Sequence, residues 1–327
     1  MIVILSQNEL EITTETVMDW IWYLGGSCKR INGDSIDKIT IAHNISNESD
    51  ELQFDLNVKD VKVIWYWRWQ VFNTFHQPLI EASMFGKNQA SNLKKYLWEE
   101  KKKLNSIYFS LLNKINWIPT QENVKVNKIE VLKKAKKIGL RIPNTIITNS
   151  KKELLKFFYT CNTKIITKPL YEVPNFNTET HMYKALTSRI LLSDIDNLED
   201  IFYASLFQEE IEKEIELRVF FWDNKFYSMA IFSQLDPQTN LDFRNYNHDK
   251  PNRNVPYELE TETQRKLLNL FKLLKLETGS VDMLIDRNNN EYVFLEINPV
   301  GQFGMISYPC NYYLEKVVAN YLISIDS

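Results

Sequence analysis

VDMLIDRNNNEYVFLEIN, residues 281–298, consists of two short apolar runs that alternate with polar residues on either side of a polar centre. Alternation around a short polar stretch is typical of a β-hairpin. A three-residue turn at 288–290 predicts that Asp282 lies opposite Glu296, whereas a two- or four-residue turn would place them on opposite faces. Asn298 shares their face because strand side chains repeat every second residue. The hairpin therefore predicts three oxygen-bearing side chains on one face.

The predicted pairing of two carboxylates indicates a metal site. Opposed carboxylates repel each other, so the arrangement makes chemical sense if a cation lies between them. A hard oxygen set with few protein ligands suits Mg²⁺ bound together with substrate phosphates. In this register the other face of the hairpin is wholly apolar, with Met283 opposite Leu295. The alternative interpretation is an exposed polar face on a half-buried hairpin.

The bulk composition excludes several classes of protein. The 327 residues suit two or three domains, and the net charge of −3, from 39 basic and 42 acidic residues, gives no electrostatic basis for binding nucleic acid or an anionic membrane. Cys28, Cys161 and Cys310 form neither a disulfide framework nor a zinc motif. The N-terminus lacks the pattern of a signal peptide or membrane span. We therefore expect a cytoplasmic protein.

The N-terminal part of the chain has the pattern of an α/β unit. An apolar run at 2–5 predicts a buried strand, helical spacing follows at 14–24, and the aromatic-rich stretch at 61–70 predicts another central strand. Arg68 lies near the end of that strand, where α/β sheets bind ligands. The alternative is that its tryptophans pack the core and Arg68 pairs with a carboxylate. A domain boundary is expected near 116–121.

Two lysines lie where phosphate-binding residues are expected. Lys128 falls in the first turn of a helix capped by Asn127, although the macrodipole there favours anions over cations. A lysine beside a helix N-terminus makes sense if both bind a phosphate. Lys168 interrupts the strand run at 165–170, and a lysine that projects from a strand end into a cleft can also hold a phosphate. The alternative for Lys168 is an ordinary surface lysine.

Two arginines lie downstream of these lysines. A second hairpin is predicted within 217–232, with a turn at 223–225, and Arg218 shares a strand face with aromatic residues, so it needs a partner there. The stretch at 241–257 has no periodicity and is too long for a plain connection. It is either disordered or a functional loop, and its aromatic residues together with Arg244 and Arg253 favour function.

No Walker, Rossmann or nucleophile-elbow motif is present in the sequence. Instead, the candidate residues follow one another over about half of the chain in an order and spacing that resembles the ATP-grasp fold. The residues that carry this resemblance are Lys128, Lys168, Gln208, Glu209, Glu216, Asp282, Glu296 and Asn298.

Within that superfamily the chain looks closest to the graspetide synthetases, in particular to the peptide maturases of the grasp-with-spasm type. The similarity runs nearly end to end. Related maturases tend to have consecutive arginines after the Trp-Tyr of the first-domain strand, whereas here Trp67 precedes Arg68. The matching stretches are ILSQ (4–7), TTETVMDW (13–20), RINGD (30–34), VIWYWRW (63–69), AIFSQ (230–234), DFRNYN (242–247), KPNRNVPY (250–257) and LEINPVGQFGMISYPCNYYLEK (295–316).

The resemblance implies an α/β (α+β) fold of three parts. An N-terminal pre-ATP-grasp α/β domain at 1–118 is followed by a central domain at 119–205, which carries the phosphate lysines and is the candidate peptide-binding part. A C-terminal domain at 206–327 is built on an antiparallel sheet and carries the adenine hinge and the Mg²⁺ site.

The resemblance also implies roles for single residues. The ATP ligands are two lysines for the phosphates, a hinge of four residues for adenine and a glutamate for ribose, namely Lys128 and Lys168, then Gln208, Glu209, Glu210 and Ile211, then Glu216. The ligands of two Mg²⁺ ions are Asp282, Glu296 and Asn298. Arg218 and Arg244 are the candidates for contacts to the transferring phosphate and the acyl phosphate.

Enzymes of this kind phosphorylate an Asp or Glu side chain of a ribosomal precursor peptide. A Ser or Thr hydroxyl or a Lys amine then displaces the phosphate and closes an ω-ester or ω-amide macrocycle. The implied partners are ATP, Mg²⁺ and a peptide with leader and core, and the implied assembly is a homodimer. One alternative is a ligase that adds amino acids to a protein or small-molecule carboxylate. Another is a nucleotide-gated peptide-binding module, which would lose the metal ligands that are present here.

Overall fold

The computed structural model describes residues 1–8, 11–33, 58–69, 82–170, 175–177, 182–184 and 186–326. Within these residues three main sheets follow one another along the chain, and one small two-stranded sheet accompanies them. This mixture of helices with parallel and antiparallel sheets confirms the predicted α/β (α+β) class. No helix within the same ranges is long and apolar enough to cross a lipid bilayer.

The first sheet is parallel and lies in the N-terminal part of the chain. Its elements are β1 (Ile2–Ser6), α1 (Ile12–Tyr23), β2 (Cys28–Asn32), β3 (Val63–Tyr66), α2 (Ala82–Leu111) and β4 (Asn116–Ile118). The strand order is β2-β1-β3-β4, and every pair is parallel. All five residues of β1 are buried, as expected for a strand covered on both faces. The predicted α/β unit is therefore present, although the strand expected at 61–70 is shorter and residue 70 lies outside the described part.

The second sheet is antiparallel. The elements of this part of the chain are α3 (Lys128–Lys137), β5 (Thr145–Ser150), α4 (Lys151–Thr160), β6 (Ile165–Thr167), β7 (Asn175–Asn177), β8 (Met182–Lys184), β9 (Ser188–Ile190), α5 (Leu192–Asp196) and β10 (Ile201–Glu209). The sheet has the order β5-β10-β6-β9, and β7 pairs only with β8 among the described strands. Leu154, Phe158 and Ile195 of α4 and α5 pack on one face of the sheet.

The third sheet is also antiparallel and completes the chain. Its elements are β11 (Lys213–Trp222), β12 (Lys225–Phe232), β13 (Arg253–Tyr257), α6 (Thr261–Leu274), β14 (Thr278–Asp286), β15 (Tyr292–Asn298), α7 (Gly304–Cys310) and α8 (Leu314–Asp326). The order is β13-β12-β11-β14-β15. One face packs on α3 and α6. On the other face Phe220 and Trp222 pack with the N-terminal sheet, α7 and α8, whereas Glu216 and Arg218 on the same face of β11 remain for the cleft.

The β14–β15 hairpin brings Asp282 opposite Glu296, as predicted. Its turn differs from the predicted one, because the backbone N–H of Asp286 donates to the carbonyl of Glu291 at 3.0 Å and the loop between them, 287–290, has four residues rather than three. A four-residue loop by itself would place the two carboxylates on opposite faces of the sheet. Another feature of the hairpin must therefore restore their pairing.

A β-bulge restores the register. Met283 pairs with Phe294, whereas Asp282 pairs with Glu296, so Leu295 is an extra residue on β15. The prediction that Met283 faces Leu295 was wrong, because an inserted residue leaves no trace in a short apolar alternation. Phe294 is buried in the core instead, and the half-buried Leu295 lies on the cleft side next to Glu296.

The β11–β12 hairpin has a two-residue turn. Asp223 and Asn224 adopt left-handed φ angles of 46° and 59°, and Trp222 pairs directly with Lys225. Two successive left-handed residues are typical of the type I′ turn, whose twist matches that of the flanking strands. The predicted turn at 223–225 is one residue too long, because Lys225 already belongs to β12.

Aromatic side chains join the N-terminal sheet to the third sheet. Trp65 stacks on Trp67 with ring centroids 5.2 Å apart, Trp67 contacts Phe303 at 5.3 Å, and Phe303 contacts Phe220 at 4.6 Å. All four side chains are fully buried. Aromatic pairs at these distances contribute beyond the area that they bury. Two tryptophans of the 61–70 stretch therefore pack the core, as one of its two interpretations expected.

The sheets relate in different ways to the predicted domain boundaries. The first sheet ends with Ile118 of β4, where the first boundary is expected. β10 continues across the expected boundary between 205 and 206. α3, which comes from the expected central domain, packs through Val131 and Leu132 on the third sheet. The division at 1–118, 119–205 and 206–327 stays a prediction.

Replacing Phe303 tests the aromatic connection between the two sheets. We expect Phe303→Ala to lower the free energy of unfolding by about 3–5 kcal/mol, because it leaves a cavity between two packed aromatic rings. Urea denaturation followed by tryptophan fluorescence measures this loss. Tyr203→Ala is the control, since Tyr203 is 91% exposed and its removal should change stability by less than about 0.5 kcal/mol. Equal losses of stability in the two variants would contradict the role of Phe303 in connecting the two sheets.

Candidate active site

A cavity of about 220 Å³ lies between the second and third sheets. The second sheet contributes Ile166 and Lys168 at the end of β6, and the third sheet contributes Arg218, Asp282 and Glu296 from three neighbouring strands. Lys168 directly follows the last residue of β6, as the sequence predicted. Charged side chains from separate parts of the chain thus meet in one cleft with apolar walls.

The facing carboxylates have unequal proton affinities. Burial and the neighbouring Glu296 raise the pKa of Asp282 to about 6, although the Arg218 guanidinium opposes the rise. Burial also raises the pKa of Glu296, but Lys168 and Lys128 outweigh it and lower that pKa to about 2. Burial thus disfavours the charged form of both carboxylates, and the cations around Glu296 offset this effect more fully than Arg218 does at Asp282.

Cationic side chains surround this pair. Lys128 Nζ lies 3.5 Å from Glu296 Oε2, and Arg218 forms an ion pair with Asp282, its partner across the β11–β14 register. Arg218 therefore has the partner that its position on an aromatic strand face required. Lys168 is partly accessible, yet burial lowers its pKa below the usual value, while Glu296 raises it. Burial is the main cause of this lowering, and the neighbouring cations Lys128 and Arg244 add to it.

The oxygen ligands in the cleft suit Mg²⁺. The Asn298 amide donates towards Glu296 Oε1 at 3.5 Å, so the expected set of Asp282, Glu296 and Asn298 is contiguous. Within the described ranges no three Asp, Glu, His or Cys residues cluster as a complete metal cage. One or two carboxylates completed by phosphate oxygens and water are the usual protein environment of Mg²⁺. The carboxylate pair, placed face to face by the β14–β15 register, fits such an ion.

Arg244 is oriented by its own ion pair. Its Nε donates to Asp242 Oδ1 at 2.8 Å and its Nη2 donates to Oδ2 at 2.6 Å, and these hydrogen bonds raise the pKa of Arg244. Asp242 is buried, whereas Arg244 remains accessible from the cleft that it lines. Residues 241–252 lead into β13 and place Arg244 at the cleft, which favours the functional interpretation of the stretch at 241–257.

The expected adenine hinge connects the second and third sheets. Glu209, Glu210 and Ile211 line the cavity where β10 leads into β11. Gln208 is buried, and its amide donates to Thr145 Oγ1 at 2.9 Å, which fixes it within the sheet. Glu210 instead pairs with Arg189 on β9 at 2.7 Å.

The expected ribose ligand is held by two donors on one oxygen. Lys213 Nζ and Ser233 Oγ both donate to Oε1 of Glu216 at 2.6 Å. Lys213 also donates to the carbonyl of Leu241 at 3.0 Å, so it ties β11 to the loop that carries Arg244. This arrangement fixes the carboxylate and directs hydrogen bonding from the protein to one of its oxygens.

Several residues of the site were missed in the sequence. Ile166 and Leu295 form apolar parts of the lining, and Lys213 and Asp242 hold charged neighbours in place. Leu295 was expected in the core because the bulge was not foreseen. Asp242 carries a visible signal, since an acid two residues before an exposed arginine can orient it locally. No short pattern predicts that Lys213 is buried.

The structure brings the twelve predicted site residues together. Ten of them line the cavity, and Lys128 and Asn298 adjoin it through Glu296. The result is a cleft lined by cationic and acidic groups, with lysines and arginines around one carboxylate pair and apolar walls on both sheets. Such a cleft can bind a polyphosphate with its metal ion and an attached planar group.

Solved structures share this architecture. No known protein-family profile matches the sequence, and no curated protein matches it. The macrocyclase MdnC from Microcystis aeruginosa, bound with precursor peptide MdnA, is 22% identical, with 99% of each chain covered and a TM-score of 0.79. The RiPP-associated ATP-grasp ligase of Chryseobacterium gregarium, in complex with ADP and a leader and core peptide, is 21% identical over 99% of this chain and 96% of its own, with a TM-score of 0.80. The chain has the ATP-grasp fold.

A third structure extends the comparison to a metal complex. The ATP-grasp ligase PsnB, complexed with minimal precursor, Mg and ADP, is 15% identical, covers 100% of this chain and 97% of its own, and has a TM-score of 0.76. The fold expected from the order of lysines, hinge acids and carboxylates is therefore confirmed over the whole chain. The roles expected of individual residues stay predictions.

Replacing Lys168 separates stability from ligand binding. Its pKa is lowered from 10.5, so the unfolded chain binds its proton more strongly than the folded one. We expect Lys168→Met to raise the free energy of unfolding by about 1 kcal/mol at pH 7. The gain should shrink as the pH approaches 10.5, because wild-type Lys168 then loses its proton in both states. Denaturation at pH 7 and pH 10 measures it.

The control is Lys156→Met on α4, because Lys156 is 61% exposed and its partner Glu153 lies three residues away. Its stability should change by less than about 0.5 kcal/mol at either pH. ATP affinity, measured by calorimetry, should fall in the Lys168 variant and remain unchanged in the control. A Lys168 variant that is less stable at pH 7 and binds ATP normally would contradict both parts of the prediction.

Proposed function

We propose that this protein is an ATP-dependent ligase that closes ω-ester or ω-amide links between side chains of a ribosomally made peptide. The observation that carries the proposal is the carboxylate pair, Asp282 and Glu296, enclosed with lysines and arginines between the two antiparallel sheets of an ATP-grasp fold. The fold supports nucleotide and Mg²⁺ binding, and the solved structures with the same fold include ligases bound to precursor peptides.

In the proposed arrangement, ATP enters the cleft with its adenine towards the hinge. Its adenine lies against the hinge at 208–211 and the apolar side chains Ile166 and Leu295, and its ribose lies next to Glu216. Its phosphates then point towards Lys128 and Lys168. The expected metal ligands Asp282, Glu296 and Asn298 lie next to the lysines and would hold the two Mg²⁺ ions.

The reaction needs an activated carboxylate, because a free carboxylate is a poor acyl donor. A peptide Asp or Glu oxygen attacks the γ-phosphorus of ATP, the bond to the β-phosphate oxygen breaks, and ADP leaves. Mg²⁺ held by Asp282, Glu296 and Asn298 would neutralise the charge that develops on the phosphate oxygens. A hydroxyl or amine of the same peptide then attacks the acyl carbon, and phosphate departs with the former carboxylate oxygen. Arg218 and Arg244 hold the transferring phosphate and the acyl phosphate in line.

The proposed partners follow from this chemistry. The peptide carries a leader that is recognised apart from the core that is modified, and the enzyme acts as a homodimer in the cytoplasm, where ATP and newly made peptide are present. Three free thiols and a site that consumes ATP support that location. Light scattering with size-exclusion chromatography measures the assembly directly.

The deciding experiment incubates the purified protein with ATP, MgCl₂ and the peptides encoded by short reading frames beside its gene. We expect one peptide to lose the mass of one water per link while one ADP and one phosphate form. Tandem mass spectrometry then locates the link between an acidic side chain and a Ser, Thr or Lys residue. A gain of an amino-acid mass, or ATP binding without any mass change, would overturn the proposal.

Removing one carboxylate of the pair tests the metal assignment. We expect Glu296→Gln to lower the rate of ring closure by about 100-fold or more, because an amide cannot supply the anionic ligand. The fold should survive, since the apolar face of the hairpin is untouched. Glu291→Gln is the matched control in the same hairpin, because Glu291 is exposed in the turn. Normal product formation by Glu296→Gln in the mass-spectrometric assay would contradict the assignment of Glu296 as a metal ligand.

Removing Arg244 tests its role in the chemical step. We expect Arg244→Ala to keep the ATP affinity of the wild type, because its guanidinium lies on the loop rather than beside the hinge, and to lose ring closure. Calorimetry and the water-loss assay separate the two effects. Arg265→Ala on α6 is the control, since Arg265 is 64% exposed and also pairs with a glutamate. Full product yield from Arg244→Ala would remove it from the site.

A further inference from the structure

The carboxyl edge of the N-terminal sheet carries a charged site that the proposed reaction does not use. β1 and β3 both end there. In the strand order β2-β1-β3-β4, β2 and β3 lie on opposite sides of β1, so the direction in which strands are added across the sheet reverses at β1. A crevice opens at such a reversal, and α/β sheets bind ligands at it. Arg68 follows β3 at this edge, and Glu11 precedes α1 after β1.

Arg68 is held at this edge by a buried carboxylate. Its Nε lies 3.1 Å from Glu11 Oε2, and the Glu11 side chain has no exposed surface, whereas 27% of the Arg68 side chain remains exposed. Burial raises the pKa of Glu11, and the guanidinium acts against that rise. The contact is made through Nε, while an arginine binds an external carboxylate best through the fork of its nitrogens. The ion pair therefore anchors the guanidinium and keeps part of it accessible.

The backbone at Arg68 is in an unusual conformation. Its φ is +56°, in the left-handed region that a residue with a long side chain seldom adopts. Such a conformation costs on the order of 1 kcal/mol and persists where the surroundings enforce it, often at binding sites. Here the preceding Trp67, packed on Phe303, and the following ion pair to Glu11 enforce it.

The same aromatic residues connect Arg68 to the active site. Trp67 contacts Phe303, Phe303 contacts Phe220, and Phe220 lies two residues from Arg218 on the same face of β11. Arg68 and Arg218 therefore flank one continuous group of buried aromatic rings.

We propose that Arg68 binds a carboxylate side chain of the peptide substrate, several residues away from the carboxylate that is activated at Arg218. This inference rests on the proposed function, because that function makes the substrate an acidic peptide. Arg68 then acts as a specificity-determining residue that recognises a second Asp or Glu and so selects which acid enters the phosphate site.

A direct binding experiment tests the site without turnover. The probe is fluorescein-labelled hexaglutamate, measured by anisotropy with the full chain in saturating MgADP, so that the nucleotide cleft is filled. We expect Arg68→Gln to weaken binding about 10-fold, because a charged hydrogen-bonding partner is lost, and Arg68→Lys to weaken it less. Arg265→Gln is the matched control and should bind like the wild type, since its arginine lies on α6 away from both sites.

Two results would overturn the inference. One is equal hexaglutamate affinity in the wild type and in Arg68→Gln. The other is a wild type that binds hexaglutamate no better than labelled hexaglutamine. If Arg68→Gln melts early, Arg68→Lys decides the matter, because it keeps the charge and the pair with Glu11, and its affinity must still lie below that of the wild type.

Turnover distinguishes this inference from the proposed function. With the peptide that loses water in the wild type, Arg68→Gln should raise KM about 10-fold and leave kcat and ATP affinity unchanged. Replacing the distal acid of that peptide by its amide should raise KM by the same factor in the wild type and have no further effect in Arg68→Gln. Absence of water loss in the wild type refutes the proposed function, whereas unchanged KM in the variant refutes only the role of Arg68.

Discussion

The carboxylates of Asp282 and Glu296 face each other across two strands, and the other charged groups of the cleft compensate their mutual repulsion. Their repulsion and their burial both favour protonation, and the energy needed to keep them charged must come from neighbours. Lys168 at the second sheet, Arg218 on the third sheet and Lys128 on α3 supply it. The charge state of the β14–β15 hairpin therefore depends on packing: the second sheet must lie over the third, and α3 must lie beside β15.

The connection between those two sheets is held by backbone more than by charge. Arg189 pairs with Glu210, and Lys164 pairs with Glu212, but surface pairs of this kind contribute at most about 1 kcal/mol each. The backbone N–H of Glu210 also donates to the carbonyl of Lys164 at 3.0 Å, which continues the strand pairing to the end of β10. The hinge at 208–211 thus has a fixed path, while the charged side chains around it can exchange partners at little cost.

The sequence predicted more of the site than of the geometry that assembles it. Asp282 and Glu296 were paired correctly, yet the turn was one residue short and the bulge at Leu295 was absent from the expectation. The two errors cancelled, because each shifts the register by one residue. An alternating pattern indicates which face of the sheet a side chain occupies. It does not indicate whether the partner strand contains an extra residue. The partners of Arg218 and Arg244 likewise depend on strand neighbours and loop closure, which a local pattern does not contain.

Lys168 lies in a poorly solvated part of the cleft, and its burial lowers its pKa. Packing three cations around two carboxylates leaves positive charge in a poorly solvated space, and the folded chain bears that cost as long as no anion enters. A bound polyphosphate supplies the missing negative charge and so stabilises the folded state through the same contacts that hold it. Burial of Lys168 therefore makes the cleft selective for anionic ligands, because a neutral ligand of the same shape would leave the lysine charge uncompensated.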